Sequence, residues 1–233
     1  MTRYSEYCPI ASTVEILGDR WTPLIIREFA VGATGFNDIH RGLPRMSRSL
    51  LSHRLRTMER QGLVVREGAE RGRAGRYRLT PAGEALQPIV WQMGNWAAEW
   101  VFADPRDEEC DGLSLMWRMH QSAIPAQLPD GKTCIHLRLT GPGGAEGWLA
   151  VDNREATVCR DDPGYDVDLA IEGQTRHLQR WLVGAATFSE LKREGQVRLI
   201  GPSRLARAFP TWFKTDNFAE GFSRAREHKT PVG

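Results

Sequence analysis

The stretch that most constrains the fold is residues 47–80, where a helix with a basic outer face precedes two strand-like runs. Ser47 can cap this helix, and the apolar residues Leu51, Leu55 and Met58 recur at helical spacing. At 100° per residue these three side chains fall within about 60° of one another. The pattern therefore predicts a helix that packs through one narrow apolar stripe.

The opposite side of the predicted helix is polar, and we expect it to face outward through Ser49, Ser52, His53, Arg56 and Arg60. Gly62 ends the helix, and the β-prone runs 63–67 and 76–80 follow, joined by GAERGRAG. A polar, arginine-bearing helix followed by a hairpin with a basic tip is typical of a winged helix. In that arrangement the helix enters the major groove of DNA, and the wing approaches phosphates or the minor groove.

The charge of this stretch favours a polyanionic partner. Residues 47–80 hold nine Arg and three Glu, a formal charge of +6, whereas the whole chain carries +2. Such a field attracts nucleic acid, and the release of condensed counterions supplies much of the binding energy. The alternative is an ordinary solvated amphipathic helix and hairpin. For DNA we expect base-edge contacts from Ser49, Ser52, His53 and Arg56, flanking phosphate contacts from Arg48 and Arg60, and wing contacts from Arg71, Arg73 and Arg76.

Length and composition indicate two modest domains and exclude several classes of protein. The 233 residues suffice for two cores, and no stretch approaches the roughly 18 apolar residues of a membrane span. The N-terminus lacks the apolar run of a secretory signal. The four cysteines are Cys8, Cys110, Cys134 and Cys159. They form no CxxC pair, which predicts free thiols in a reducing, cytoplasmic setting. As a DNA-binding protein, the chain is expected at the nucleoid. Residues 1–103 carry a net +4 and residues 104–233 a net −2, so the nucleic-acid task falls to the first half.

Helical patterns flank the central stretch. Residues 10–17, 21–31 and 36–43 read as short helices, with Asp19 as a cap for the second. Residues 80–102 read as one longer helix that Thr80 and Pro81 begin. The longer helix carries Trp91, Trp96 and Trp100, more aromatic surface than a small core should absorb. We expect these rings at a dimer interface, where aromatic residues concentrate, although packing against the wing and linker is the simpler alternative.

Several short motifs occur together in one order over about residues 7–102. They are CPI at 8–10, GDRW at 18–21, FNDI at 36–39, RGLP at 41–44, SLLSHRLR at 49–56 and LTPAGEAL at 79–86. With them this half resembles the HxlR family of bacterial transcriptional regulators. The resemblance implies a winged helix-turn-helix domain over residues 1–102. It also implies a homodimer, joined partly through the first and last helices, on a palindromic DNA operator.

The second half predicts a separate domain. Residues 103–112 are acidic and turn-rich, which indicates a linker. Residues 113–233 alternate short strands with helices, including a strand over 166–173 and a closing helix over 203–213. We expect an α+β fold with a small antiparallel sheet and helices on one face. The runs DVDLAIEG at 166–173, HLQRWLVGAATFSELKREGQVRLIG at 177–201 and ARAFPTWF at 206–213 resemble the sterol carrier protein type 2 fold.

That resemblance implies an apolar cavity between the sheet and the helices, able to hold a lipid-like or aromatic effector. The candidate lining residues are Trp117, Trp148, Trp181, Phe188, Trp212 and Phe213. No catalytic or metal motif accompanies them, because His120, His136 and His177 lie in separate elements without ligand spacing. We therefore expect a protein that is not an enzyme and that binds neither a metal nor a cofactor.

The sequence leaves three functional hypotheses. The first is a homodimeric DNA-binding regulator, a repressor, whose second domain binds a small apolar effector. The second is a thiol switch through Cys8, because a cysteine directly before a helix has its thiolate favoured by the helix dipole; burial at a dimer interface is the plainer alternative. The third is a lipid carrier or enzyme domain tethered to DNA, which the Arg-only recognition stretch disfavours.

Overall fold

The computed structural model describes residues 6–68 and 75–229. The chain divides into two compact units that meet between Met93 and Gly94, within one helix. The predicted boundary, a linker at residues 103–112, remains a prediction. None of the helices among the described residues is long and apolar enough to cross a membrane.

The first unit is a winged helix-turn-helix. Its elements are α1 Pro9–Leu17, α2 Thr22–Ala30, α3 Phe36–Gly42, α4 Arg48–Arg60, β1 Val64–Glu67, β2 Arg76–Leu79, α5 Pro81–Glu84 and the first part of α6 Gln87–Trp100. Strands β1 and β2 pair antiparallel, with Val64 opposite Leu79. The helix at the centre of the sequence prediction is α4, and its predicted stripe of Leu51, Leu55 and Met58 is buried.

The expected single helix over residues 80–102 is wrong. Thr80 caps α5 by accepting from the backbone N–H of Gly83, as the sequence suggested, but α5 ends at Glu84. Pro88 accounts for the break, because it has no N–H to donate to Glu84 and its ring would clash with that carbonyl. Pro88 instead falls in the first turn of α6, where proline is tolerated.

The second unit is an α+β domain. Its elements are α7 Gly112–Ser122, β3 Thr133–Thr140, β4 Ala145–Asp152, β5 Glu155–Cys159, β6 Leu169–Gln174, α8 Thr175–Leu182, α9 Phe188–Arg193, β7 Val197–Ile200, α10 Ser203–Ala208 and α11 Ala219–Lys229. The sheet has the order β5-β4-β3-β6-β7. The expectation of an antiparallel sheet is wrong in one place, because β6 returns beside β3 and runs parallel to it.

The two faces of this sheet differ. Ile135, Leu137 and Leu139 alternate along β3 into the core, where Leu149 and Val151 of β4 join them. The intervening residues of β3 and β4 occupy the other face. There His136 stacks on Trp148, with ring centroids 4.8 Å apart. The helices α7, α8 and α9 contribute Met116, Leu178 and Leu191, among others, to the same core.

The end of the chain departs most from expectation. The predicted closing helix over 203–213 is split into α10 and a 3-10 turn, Phe209–Trp212, because Pro210 cannot continue an α-helix. The predicted strand over 166–173 begins only at Leu169, since the Asp168 carboxylate turns back to accept from the Cys134 N–H at 2.8 Å. Helix α11 was not predicted at all.

Candidate nucleic-acid interface

Helix α4 is held rigidly by its ends and by one face. Ser47 Oγ accepts from the Leu50 N–H at 3.3 Å, which satisfies one of the free donors of the first turn. At the other end Gly62 adopts φ +70°, and the Leu63 N–H donates to the Met58 carbonyl at 2.9 Å. That αL glycine and back-bonded turn stop the helix and send the chain into β1. The two ends therefore fix the length of the helix, and the buried side chains of Leu51, Leu55 and Met58 fix its rotation.

The outward face of α4 carries the predicted contact residues. Ser49, His53, Arg56 and Arg60 are exposed, and Ser52 is half-buried. The Arg56 guanidinium donates to Ser52 Oγ at 3.1 Å, and that of Arg60 donates to Thr57 Oγ1 at 3.0 Å. These bonds hold two long cationic side chains against the helix surface, which lowers the entropy lost when they bind a phosphate or base edge.

Arg48 lies at the start of α4 and turns toward α3. Its guanidinium donates to Asn37 Oδ1 at 2.8 Å and lies 5.1 Å above the centre of the Phe36 ring. This places a fixed positive charge at the junction of the two helices of the helix-turn-helix. A flanking phosphate contact, as predicted from the sequence, is compatible with that position.

A half-buried ion pair that the sequence analysis missed orients α4. Arg54 pairs with Asp19, and only 23% and 15% of the two side chains are exposed. Asp19 had been interpreted only as a helix cap, and its Oδ1 does accept from the Trp21 N–H at 3.0 Å. Its other oxygen binds Arg54, so one carboxylate fixes both the start of α2 and the rotation of α4. The two residues are 35 positions apart, and no local signal links them.

A second missed group is Glu28, which is wholly buried and pairs with Arg27 at 2.7 Å. A Cβ added at Gly42 would lie 1.8 Å from Glu28 Oε2. The glycine of the RGLP motif is therefore a steric requirement, because any side chain there would collide with the buried carboxylate. The Arg27 guanidinium also donates to the Gly42 carbonyl at 3.4 Å, which joins α2 to the end of α3.

The wing is only partly described. Arg71 and Arg73 lie outside the described residues, and Arg76 is exposed at the start of β2. Arg78 is engaged by Glu67 at 2.9 Å, while the Tyr77 N–H donates to the Thr34 carbonyl at 2.8 Å and anchors the hairpin. Among the described wing residues, Arg76 is thus the best placed for a phosphate contact.

An exposed apolar stripe runs along α6. Ile89, Met93, Trp96 and Trp100 are 43%, 47%, 59% and 57% exposed and are spaced by four, three and four residues. That spacing is the seam of a two-helix coiled coil. Trp91 lies off the stripe and is half-buried. Helix α1 also exposes apolar side chains, with Ile10 at 74%.

The six aromatic residues predicted to line one cavity do not share a site. Trp181, Phe188, Trp212 and Phe213 are buried and meet around Phe209, which the sequence analysis missed; ring centroids within this aromatic cluster lie 4.9–5.9 Å apart. Trp117 lies on α7 beside His120. Trp148 faces the opposite side of the sheet.

The cysteines have different environments. Cys8 is the half-buried N-cap residue of α1. Burial raises the pKa of the Cys110 thiol and that of the Cys134 thiol, which disfavours their reactive thiolate forms. Among residues 6–68 and 75–229, no group of three or more His, Cys, Asp or Glu side chains is arranged to hold a metal ion.

Comparison with known proteins extends over the first half of the chain. The sequence profile described as HxlR-like helix-turn-helix matches residues 16–105. The uncharacterised HTH-type transcriptional regulator YvaP of Bacillus subtilis is 38% identical over 99 residues, which cover 42% of this chain and 92% of YvaP. The HTH-type transcriptional regulator YodB of the same organism is 34% identical over 106 residues, covering 45% of this chain and 93% of YodB.

The solved structures that match cover a similar share of this chain. The reduced form of YodB from B. subtilis matches with 33% identity and a TM-score of 0.36, over 41% of this chain and 96% of that one. The redox regulator HypR in its oxidised form matches with 30% identity and a TM-score of 0.38, over 41% and 100%. The family assignment rests on the sequence matches.

Proposed function

Because this chain belongs to the HxlR-like helix-turn-helix family of transcriptional regulators, which are not enzymes, we propose that it is a homodimeric repressor that binds a palindromic operator and responds to a small apolar effector. The observation that carries the proposal is the outward face of α4, where Arg56 is exposed and braced by Ser52. The repressor acts in the cytoplasm, at the nucleoid.

Base reading is assigned to Ser49, Ser52, His53 and Arg56. The N-terminal two-thirds of α4 presents these groups on one side, while Leu51 and Leu55 hold the other side in the core. An arginine that donates two hydrogen bonds to guanine O6 and N7 discriminates by about 1–3 kcal/mol. Arg48, Arg60 and the wing residues Arg71, Arg73 and Arg76 supply phosphate contacts that carry no sequence information.

Dimerisation is assigned to the apolar stripe of α6, together with α1. A monomer would leave Trp96 and Trp100 more than half exposed to water, whereas a second copy would cover them. A dimer with two α4 helices reads half-sites about 34–36 Å apart, one helical turn of DNA. A palindromic operator follows from the two-fold symmetry.

Effector binding is assigned to the second unit, for which we propose the sterol carrier protein type 2-like fold. An α+β sheet with one helix-covered face supports this assignment, as does a core that concentrates five aromatic rings. An apolar or aromatic ligand is the chemical class that suits a pocket bordered by such side chains. A ligand that favours one spacing of the two α4 helices changes operator affinity by about 5- to 150-fold, and DNA changes ligand affinity by the same factor.

A thiol switch at Cys8 is the second candidate function. The half-buried position of Cys8 as the N-cap residue of α1 favours it, because an oxidant or electrophile in solution can reach the thiol there. A Cys8→Ser variant distinguishes a sensor at Cys8 from a sensor in the second unit. If it binds DNA as the wild type does but loses its response to an oxidant or electrophile, the sensor is Cys8. If the wild type shows no such response, the thiol switch is excluded.

The DNA-reading proposal is tested by selecting bound sequences from random DNA with the full-length protein. Arg56→Ala should weaken binding to the selected sequence by about 1–3 kcal/mol and relax preference at one base pair. Arg193→Ala, which removes the same charge from an exposed site on α9, is the matched control. Equal weakening of Arg56→Ala on selected and random DNA would make Arg56 a phosphate contact, and failure to select any sequence would refute the repressor proposal.

A further inference from the structure

Helix α11, the last described element of the chain, packs on the second half of helix α6. The Phe222 ring lies 5.7 Å from that of Phe102, just beyond the end of α6, and the two rings meet edge to face. Phe222 and Gly221 are buried. All of these contacts lie within the second unit, so they describe how that unit holds its own part of α6.

Three polar contacts fix the register of this packing. The buried Asn95 side chain accepts, through Oδ1, the backbone N–H of Gly221 at 3.1 Å. The Glu99 carboxylate, only 9% exposed, accepts from Arg224 and lies 2.9 Å from His228 Nε2. Buried polar groups that lose their partners are costly, so sliding of α11 along α6 is disfavoured relative to a docked or a released state.

Small residues allow the two segments to approach closely. A Cβ at Gly221 would lie 2.3 Å from the Asn95 carbonyl oxygen and 2.9 Å from the Ala98 Cβ. A Cβ at Gly94 would lie 2.3 Å from the ring of Phe218, in the segment that leads into α11. Neither glycine has a positive φ, so its role here is the space it leaves.

The docked face and the exposed stripe lie on different sides of one helix. At 100° per residue, Asn95 and Ala98 point about 130° and 170° away from the centre of the stripe formed by Ile89, Met93, Trp96 and Trp100. Helix α11 nevertheless reaches the edge of that stripe, since the His228 ring lies 4.7 Å from the Trp100 ring. Helix α11, which packs mainly on the side of α6 away from the stripe, therefore also contacts the edge of the surface assigned to the partner subunit.

We propose that α11 is a clamp through which the second unit sets the geometry of the dimerisation stripe on α6. Docked, it fixes the helical turn that carries Trp96 and Trp100; released, it frees that turn and weakens the dimer. Residues 219–229 lie more than 100 positions beyond the segment that matches the HxlR family profile, so the clamp is an addition to the family's DNA-binding domain. The dimer itself belongs to the proposed function, on which this inference rests.

The test uses full-length protein and leaves the sequence of α6 unchanged. Gly221→Ala blocks the close approach to Asn95, yet alanine favours a helix more than glycine does, so undocking is not confused with helix loss. Ser223→Ala, on the exposed side of α11, is the matched control. A second variant, Arg224→Gln with His228→Gln, removes the partners of Glu99 without adding volume.

Two readouts are compared for each protein, amide hydrogen exchange of residues 219–229 and the dimer dissociation constant by sedimentation. Both test variants should exchange at least about tenfold faster there and raise the dissociation constant at least fivefold, the low end of typical coupling. Ser223→Ala should match the wild type. Faster exchange with an unchanged dissociation constant would overturn the clamp, as would unchanged exchange in both test variants. A wild type that is monomeric throughout would instead refute the proposed dimer, a result visible before any variant is made.

Discussion

The two units bury different kinds of side chain. The core of the first is aliphatic, built from residues such as Ile25, Leu51 and Leu55 with methionines, and none of the buried core members among its described residues is aromatic. The core of the second contains the aromatic cluster around Phe209. The aliphatic core serves as a platform for α4, whose outward face carries the residues proposed to bind DNA. The second unit instead keeps aromatic side chains inside, in the cluster around Phe209.

The largest expected effect tests whether the aromatic cluster is packed core. Phe209 is fully buried and contacts four other rings, so Phe209→Ala should lower the free energy of unfolding of the second unit by about 3–5 kcal/mol. Denaturant unfolding followed by tryptophan fluorescence measures this, with Tyr165→Ala, 53% exposed, as control. A cost below about 1 kcal/mol would mean that the rings line open space and would favour this cluster as the place of the proposed effector pocket.

The next effect concerns the platform. Gly42→Ala forces a methyl group onto the buried Glu28 carboxylate and should destabilise the first unit by about 1–3 kcal/mol. Circular dichroism during thermal unfolding measures the change, and operator affinity should fall with it because α3 and α4 share that core. A variant as stable as the wild type would show that Glu28 moves freely and does not hold α2 against α3.

The sequence predicted the platform well because its signals are local. Ser47, the stripe of Leu51 and Leu55, and Gly62 define α4 without any knowledge of the rest of the chain. The break between α5 and α6 also has a local signal, because Pro88 cannot continue the preceding helix. The ion pair of Arg54 with Asp19 was not readable, since it depends on the packing of two helices far apart in sequence.

In the second unit the errors have nonlocal causes. Strand β6 pairs parallel with β3 because that edge of β3 is free. The alternation of residues within a strand does not reveal which edge is free. Helix α11 is largely polar and gains its stability from docking on α6, so propensity alone does not reveal it. Trp148 is an exception, because its alternation with the buried Leu149 already placed it on the outer face.

A smaller effect tests the wing. Arg76→Ala should reduce the slope of log K against log salt concentration by about one unit, because one phosphate contact is lost. The measurement is binding to random DNA at several salt concentrations. Arg78→Ala is the comparison: Arg78 is engaged by Glu67, so its loss should change the slope less. An unchanged slope for Arg76→Ala would mean that β2 starts away from the DNA.

The smallest effect is a pH dependence confined to the second unit. Burial lowers the pKa of His177 below its ordinary value of 6.5. The unfolded chain then binds a proton that the folded protein excludes, so stability should fall as pH drops below about 6.5. Urea unfolding at pH 7.5 and 5.5 measures this, and His177→Gln should reduce the difference. A His177→Gln protein with the full wild-type difference would assign the effect to another group.

The first unit's role is tested most directly by a hydroxyl-radical footprint of the full-length protein on the sequence it selects. Two α4 helices in a two-fold dimer should protect two symmetric half-sites whose centres lie about 10–10.5 base pairs apart. Arg56→Ala should weaken both half-sites equally. Protection of a single half-site, or uniform protection without sequence preference, would contradict a dimeric reader of a palindrome.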